Sequence, residues 1–353
     1  MIAFVGRLLV CLASFLTLVS CASPAAAPSQ PPSAAASAHA AAKREIDHVQ
    51  LLYPTLSGDD TFAPIAMEKG FFTKYGLTGD VQYAQSSSGI AAVLSGQAQF
   101  DLSDGVVTIQ AVATGNPFKV VANFNTPNPY ALIARSDTTR LEDLKGKTLM
   151  VGKLGDGTDV SARWALKSTG LKVGSDVSLR QGGNSPERWA AISSGQVDAA
   201  MLDAEAYVPQ AETKGMHVLA NLAELGMPWA TGTLITTSTF LRANPNTVLA
   251  TLRAIIDGMA YYADDANKAD SMTMLAKDLK TSPTDPLVAA AYEGGHRRHL
   301  GNPLPVKSAY DGLIDILKTI DPAQYGSVTS DQVIEPSFVA TLQAQGVTKA
   351  IEK

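Results

Sequence analysis

Two aspartates, Asp104 and Asp203, close two copies of one phrase. Residues 91–104 read AAVLSGQAQFDLSD, and residues 190–203, 99 positions later, read AAISSGQVDAAMLD. Ala91, Ala92, Ser95, Gly96, Gln97 and Asp104 coincide with Ala190, Ala191, Ser194, Gly195, Gln196 and Asp203. Each copy reads as a helix end, a Gly-centred turn and a short buried strand. A carboxylate just beyond a strand either caps the next helix or meets a bound molecule. Two such units one small domain apart predict two similar lobes, and a cleft between lobes is where small ligands bind.

Other candidates sit beyond predicted strand ends. The first strand leads into Thr55, Ser57, Gly58, Asp59 and Asp60. The second leads into Ser86, Ser87, Ser88 and Gly89, where hydroxyls and a helix N-terminus offer donors; one Ser also suits a plain cap. In the second half, Gly155-Asp156-Gly157-Thr158-Asp159 opens a helix, and Gly182-Gly183-Asn184-Ser185 forms another loop at the same edge. The first of these lacks the Gly-Lys-Ser/Thr ending of a phosphate-binding P-loop. Trp229 is placed either to stack on a ligand or to pack. The candidate ligand-contact set is Thr55, Ser57, Asp60, Ser87, Ser88, Gly89, Asp104, Asp156, Thr158, Asp203 and Trp229.

The chemistry these residues suggest is reversible binding. The chain has two Cys, Cys11 and Cys21, both near the N-terminus, so no thiolate nucleophile, disulfide or Cys-rich metal site is expected in the folded part. His296-Arg297-Arg298-His299 is read as a solvated helix end rather than a metal pair. No catalytic residue, cofactor or metal is expected. The net charge of −5 with 17% charged residues excludes the basic stripe that nucleic acid requires. Asp59, Asp60, Asp104, Asp156, Asp159, Asp203 and Glu205 lie in the candidate loops, with Lys153 as their only counted cation. That imbalance favours a ligand bearing an amine or heteroaromatic donors, zwitterions included.

The N-terminus carries an address. Arg7 precedes the apolar run Leu8–Val19, which is too short for a bilayer-spanning anchor and fits a signal-peptide core. It ends in Leu18-Val19-Ser20-Cys21, a lipobox-like site that makes Cys21 the expected lipidated residue. Residues 22–42 are almost entirely Ala, Pro and Ser, a composition that reads as a tether holding a domain near a membrane surface.

The candidate loops require a scaffold. Strands are predicted at 48–53, 81–84, 100–102, 119–123, 130–134, 148–152, 177–180, 199–202 and 233–236. Helices are predicted at 61–75, 86–95, 105–114, 158–169, 185–194 and 204–214, then 245–263, 268–279, 286–299, 305–319 and 336–345. Alternating strands and helices imply mostly parallel sheets, followed by a helical tail. Pro127-Asn128-Pro129 and Met227-Pro228-Trp229 read as two crossings between lobes. The expected division is a signal peptide at 1–20, a tether at 21–43, one lobe at 44–128 plus 233–353, and a second at 129–232.

The motif Ala66-Met67-Glu68-Lys69-Gly70-Phe71-Phe72, continuing to Gly76-Leu77, resembles the opening of substrate-binding proteins of ABC importers. The similarity is to the nitrate, taurine, aliphatic-sulfonate and thiamine-precursor class. Leu141-Glu142-Asp143-Leu144-Lys145-Gly146-Lys147 resembles the start of that class's second lobe, and Ser194-Gly195 through Asp198-Ala199 its helix–strand junction. The matches run from about 48 to 240. Gln99 departs from the Asp usual there. The resemblance implies an α/β, two-lobed periplasmic-binding-protein fold of type 2, with two crossovers and C-terminal helices on the first lobe. It implies a monomeric, extracytoplasmic receptor that hands a small-molecule solute to an ABC permease, and the lipobox-like Cys21 with its tether independently supports such a receptor, lipid-anchored at the membrane. Two other functions stay open: an enzyme like the pyrimidine-precursor synthase of the same fold, and the ligand-binding part of a sensor.

Overall fold

The computed structural model describes residues 43–84, 86–125, 127–299 and 301–352; the side chains of Ser86 and Ser87 are not among the described features. The signal peptide, almost all of the tether, Cys21 and the Ser87 hydroxyl therefore lie outside the described residues, as does Thr126 at the first crossing.

The fold is α/β with two five-stranded sheets, one in each of two lobes. The first sheet uses β1 (His48–Tyr53), β2 (Thr78–Tyr83), β3 (Phe100–Ser103), β4 (Phe118–Asn125) and β10 (Thr231–Thr237), in the order β2-β1-β3-β10-β4. The second uses β5 (Tyr130–Ala134), β6 (Thr148–Val151), β7 (Ser178–Gln181), β8 (Ala199–Asp203) and β9 (His217–Asn221), in the order β7-β6-β8-β5-β9. Four strands of each sheet run in one direction, and the crossing strand alone enters antiparallel: β10 between β3 and β4, β5 between β8 and β9. The two lobes are thus wound alike, and the chain passes between them at β4–β5 and before β10.

The repeated phrase has the same geometry in both copies. Gly96 and Gly195 each have φ 79, the left-handed conformation that glycine adopts at little cost. Gly96 N donates to Val93 O at 3.2 Å, and Gly195 N to Ile192 O at 3.1 Å. The departure at Gln99 is explained in the same frame. Gln99 Oε1 accepts from Gln50 N on β1 at 2.7 Å. Asp198, at the matching place, accepts from Thr148 N on β6 at 2.8 Å. Either side chain ties its strand to the neighbouring one.

The helices of the first half are α1 (Phe62–Glu68), α2 (Phe71–Lys74), α3 (Ser86–Ser95) and α4 (Gly105–Ala113). The single helix expected over 61–75 is two, because Gly70 turns left-handed (φ 74) between them. The second lobe carries α5 (Gly157–Lys167), α6 (Ser185–Ser193) and α7 (Ala204–Thr213). Then come α8 (Ser238–Ala243), α9 (Pro245–Ala263), α10 (Lys268–Asp278), α11 (Pro286–Arg298) and α12 (Lys307–Ile320), with shorter helices up to Ser337–Ala344. β9 and α8 were not expected. β9 is a half-buried edge strand without a strong pattern, and α8 is a one-and-a-half-turn piece capped by Thr237 Oγ1 on Phe240 N.

The C-terminal helices complete the first lobe. Phe62, Phe72, Phe100, Phe124, Tyr262 and Tyr292 form one core between the first sheet and α9–α11. Packing there is close enough that a Cβ on Gly258 of α9 would fall 2.4 Å from Phe62 O. A second core runs from Val106 and Phe118 through Leu132 and Val151 to Tyr310 of α12. A third, with Ile192 and Tyr207, backs the second sheet. Among the described residues no helix is long and apolar enough to cross a membrane.

Candidate functional site

Parallel strands present their carboxyl ends along one edge, and in both lobes these edges face each other across a cavity of about 1280 Å³. The first lobe lines it with Pro54–Ser57 after β1, Tyr83 at the end of β2, Ile90 of α3, and Val107, Gln110 and Ala111 of α4. The C-terminal helices add Asp278, Leu279 and Lys280. The second lobe contributes Tyr130, Gly152–Asp156, Thr158, Gln181–Pro186, Arg188 and Asp203. The volume exceeds the roughly 300–1,000 Å³ usual for small-molecule sites, as an unclosed cleft would.

Of the sequence candidates, Thr55, Ser57, Asp156, Thr158 and Asp203 line this cavity, as does the Gly182–Ser185 loop. Asp60, Asp104 and Trp229 do not; they are buried behind its walls. Asp60 accepts from the Thr55 hydroxyl, and burial pushes its carboxyl up to about 7. Asp104 Oδ1 accepts from Val106 N at 2.7 Å and so caps α4; burial raises it to about 7 as well. Trp229 packs edge-on to Tyr130 with ring centroids 5.9 Å apart. Ser88 is exposed away from the cavity lining. Gly89 is buried for a different reason: a Cβ there would fall 2.4 Å from Asp101 Oδ1. Asp101 is fully buried beneath α3, and neither of its carboxylate oxygens has a hydrogen-bond partner among the described residues. Burial holds this carboxyl well above the usual range.

The second-lobe loop spends most of its backbone donors on its own side chains. Asp156 Oδ1 accepts from Thr158 N at 2.8 Å and Asp159 N at 3.0 Å, and Asp156 Oδ2 from Lys153 N at 2.8 Å. Asp159 Oδ2 accepts from Gly155 N at 2.7 Å, and Thr158 Oγ1 from Gly152 N at 2.7 Å. At α6, Asn184 and Glu187 form a capping box, with Asn184 N to Glu187 Oε2 at 2.9 Å and Glu187 N to Asn184 Oδ1 at 3.0 Å. Protein oxygens thus occupy the positions where a helix N-terminus would otherwise hold an oxyanion.

The expected absence of cations other than Lys153 is corrected by the structure. Arg188 of α6 is 4% exposed and lines the cavity, and exposed Lys280 lines it too. Arg188 Nε donates to Met201 O at 2.6 Å, Nη2 to Ser185 Oγ at 2.8 Å, and Nη1 to Gly183 O. The sequence held a signal for it. Arg188 is the fourth residue of its helix, where the dipole disfavours a cation, so its place needs another reason.

The reading of 296–299 as a solvated helix end is also corrected. Arg298 is 7% exposed, and its Nη2 lies 2.6 Å from Asp59 Oδ1, with Nε at 2.9 Å from the same atom. His299 packs on Phe62 and Tyr262, and burial lowers it to about 4. Arg297 pairs with Glu205 of α7, and Arg298 Nη1 lies 3.9 Å from the same carboxylate, so α11 ties the first lobe to the second. Gln110 Nε2, donating to Gly155 O, makes a second such tie. Three of the large apolar residues left exposed border the cavity: Leu56 and Tyr83 on one lobe, Leu154 on the other.

Residues 60–269 match the family model described as NMT1/THI5 like. No curated protein sequence matches the chain. Among solved structures, a protein from Bordetella bronchiseptica RB50 is similar with a TM-score of 0.72 and 22% identity, covering 86% of this chain and 99% of that one. The periplasmic nitrate-binding protein NrtA from Synechocystis PCC 6803 gives 0.70 and 15%, covering 88% and 92%. The periplasmic aliphatic sulphonate binding protein SsuA from Escherichia coli gives 0.67 and 16%, covering 82% and 93%.

Proposed function

We propose, for a chain that belongs to the NMT1/THI5-like family, that it is a solute-binding receptor of an ABC importer. It captures a small polar organic solute between its lobes and delivers it to a permease. One observation carries the reading: strand-end loops of both lobes line a single cavity of about 1280 Å³. The periplasmic nitrate- and sulphonate-binding proteins of the same fold support it. In this reading the lobes are 44–128 with 233–353, and 129–232. They close by hinge motion at 126–130 and 227–233. The protein acts as a monomer outside the cytoplasm, held to the membrane by lipid on Cys21. Thr55, Ser57, Asp156, Thr158 and Asp203 meet the solute directly. The carboxylates around the cleft, more numerous than its cations, favour a solute that bears an amine.

A thermal-shift screen of polar organic solutes, followed by small-angle scattering with each hit, tests this. The expected result is one solute class that raises the melting temperature, compacts the protein and is recovered unchanged. Recovery of an altered product assigns the protein to the synthase-like enzymes instead. Cells with the neighbouring permease deleted separate transport from sensing: uptake is lost only if the receptor feeds that permease.

A further inference from the structure

Resting on the receptor reading, we infer that the cleft takes a zwitterionic amino carboxylate with an apolar body. Its carboxylate lies on Arg188, its ammonium beside Asp203, and its apolar part against Leu56, Tyr83 and Leu154.

Arg188 is built as an anchor. It is nearly fully buried, and its three described partners, Met201 O, Gly183 O and Ser185 Oγ, carry no charge. Of the five guanidinium N–H groups, three are spent and two remain, one on each terminal nitrogen, to donate to an anion. The charge that answers Arg188 in the folded protein is the Asp203 carboxylate, so a ligand carboxylate that joins Arg188 must bring a cation for Asp203. Asp203 lies on β8, two residues beyond the Met201 whose carbonyl grips Arg188. It lines the cavity and does not cap α7, so its carboxylate is not spent on its own helix.

The pairing excludes simpler ligands. A lone anion bound at Arg188 meets Asp203, and a lone cation bound at Asp203 meets Arg188; a ligand carrying both charges satisfies both. A sulfonate at Arg188 draws little from the neighbouring loops, where the N–H groups of Gly152, Lys153, Gly155, Thr158, Asp159, Asn184 and Glu187 already serve protein oxygens, and its single charge leaves Asp203 unanswered. The apolar side chains at the cleft rim, 37–49% exposed, offer a surface to the rest of the molecule.

The test is calorimetric titration of the full-length protein with leucine and phenylalanine, against phenethylamine, 3-phenylpropionate, propanesulfonate and nitrate. Leucine or phenylalanine binds, and compounds lacking either charge bind about 10- to 100-fold more weakly. Asp203→Asn loses affinity to the same degree while remaining folded by circular dichroism. Arg188→Lys, which keeps the charge and loses the fork, weakens binding likewise. Propanesulfonate or nitrate binding as tightly as the amino acids overturns the inference, and so does undiminished affinity in Asp203→Asn. If no amino acid binds but native mass spectrometry finds another solute in the cleft, the inference falls and the receptor reading stands. If the protein carries and responds to no solute, both fall.

Discussion

Asp104 and Asp203 end equivalent strands in the two lobes, yet only Asp104 spends its carboxylate on the helix that follows. Asp104 Oδ1 holds Val106 N at 2.7 Å, whereas Asp203 makes no such bond and faces the cavity. The lobes repeat in architecture and diverge in chemistry. One copy of the motif closes a helix, and the other lines the cavity.

Asp104 also makes stability depend on pH. Its folded carboxyl titrates near 7, above the ordinary aspartate range, because burial disfavours the charge. The folded state therefore holds the proton more tightly, and this contribution is full at pH values below about 4 and lost as pH rises through 7. His299, lowered to about 4, acts the other way and costs stability as pH falls below about 6.5. The difference between proteins isolates the first effect. Asp104→Asn keeps a cap and removes the charge. Its melting temperature is expected to lie nearest that of the wild type at pH 4 and to exceed it by a growing margin up to pH 8. Equal melting at both values contradicts this assignment.

The buried pair of Arg298 and Asp59 fixes the loop that carries Thr55 and Ser57 against α11. Removing one partner strands a charge, which costs about 3–5 kcal/mol. Arg298→Met is expected to lower unfolding free energy by that amount in urea denaturation. Arg297→Ala, which breaks a half-exposed pair, changes it by less than about 1 kcal/mol.

Much of this was legible in the sequence. Strand and helix spacing, the two Gly turns and the proline-marked crossings are local features, and each of those strands and helices formed within a few residues of its expected place. The parallel sheets were read correctly apart from the antiparallel crossing strands, which depend on how the chain re-enters a lobe. The cleft edge was legible because strand direction fixes it. What was not legible was which candidate points inward. Asp60 and Asp156 are both strand-end aspartates, but one is swallowed by the core and the other borders the cavity. That difference is set by packing from α9–α11, far away in sequence. The burial of Arg298 is hidden from the sequence for the same reason: its partner, Asp59, is 239 residues distant.

Backbone packing against that loop is tight enough to test. A Cβ on Gly58 would lie 1.9 Å from Ala291 O of α11, a contact only backbone movement relieves. Gly58→Ala is expected to weaken solute binding by displacing Thr55 and Ser57, and to lower the melting temperature by several degrees. Wild-type values for both would show the loop to be free to shift.

The apolar rim separates binding from stability. Leu154 is 49% exposed. Leu154→Ser is expected to leave unfolding free energy within about 0.5 kcal/mol and to weaken solute binding several-fold by calorimetry. Unchanged affinity removes the rim from the site.

Anchoring is tested apart from ligand binding. Cys21→Ser is expected to move the protein from the membrane fraction to the soluble extracytoplasmic fraction while preserving solute affinity. Retention in the membrane contradicts the lipid anchor.

Native mass spectrometry of the full-length protein, isolated from the cells that make it, tests the central claim most directly. The account predicts one equivalent of an unaltered small solute, bound to the wild type and lost from Asp203→Asn. Protein that carries no solute and is stabilised by none, or that releases a chemically altered product, contradicts it.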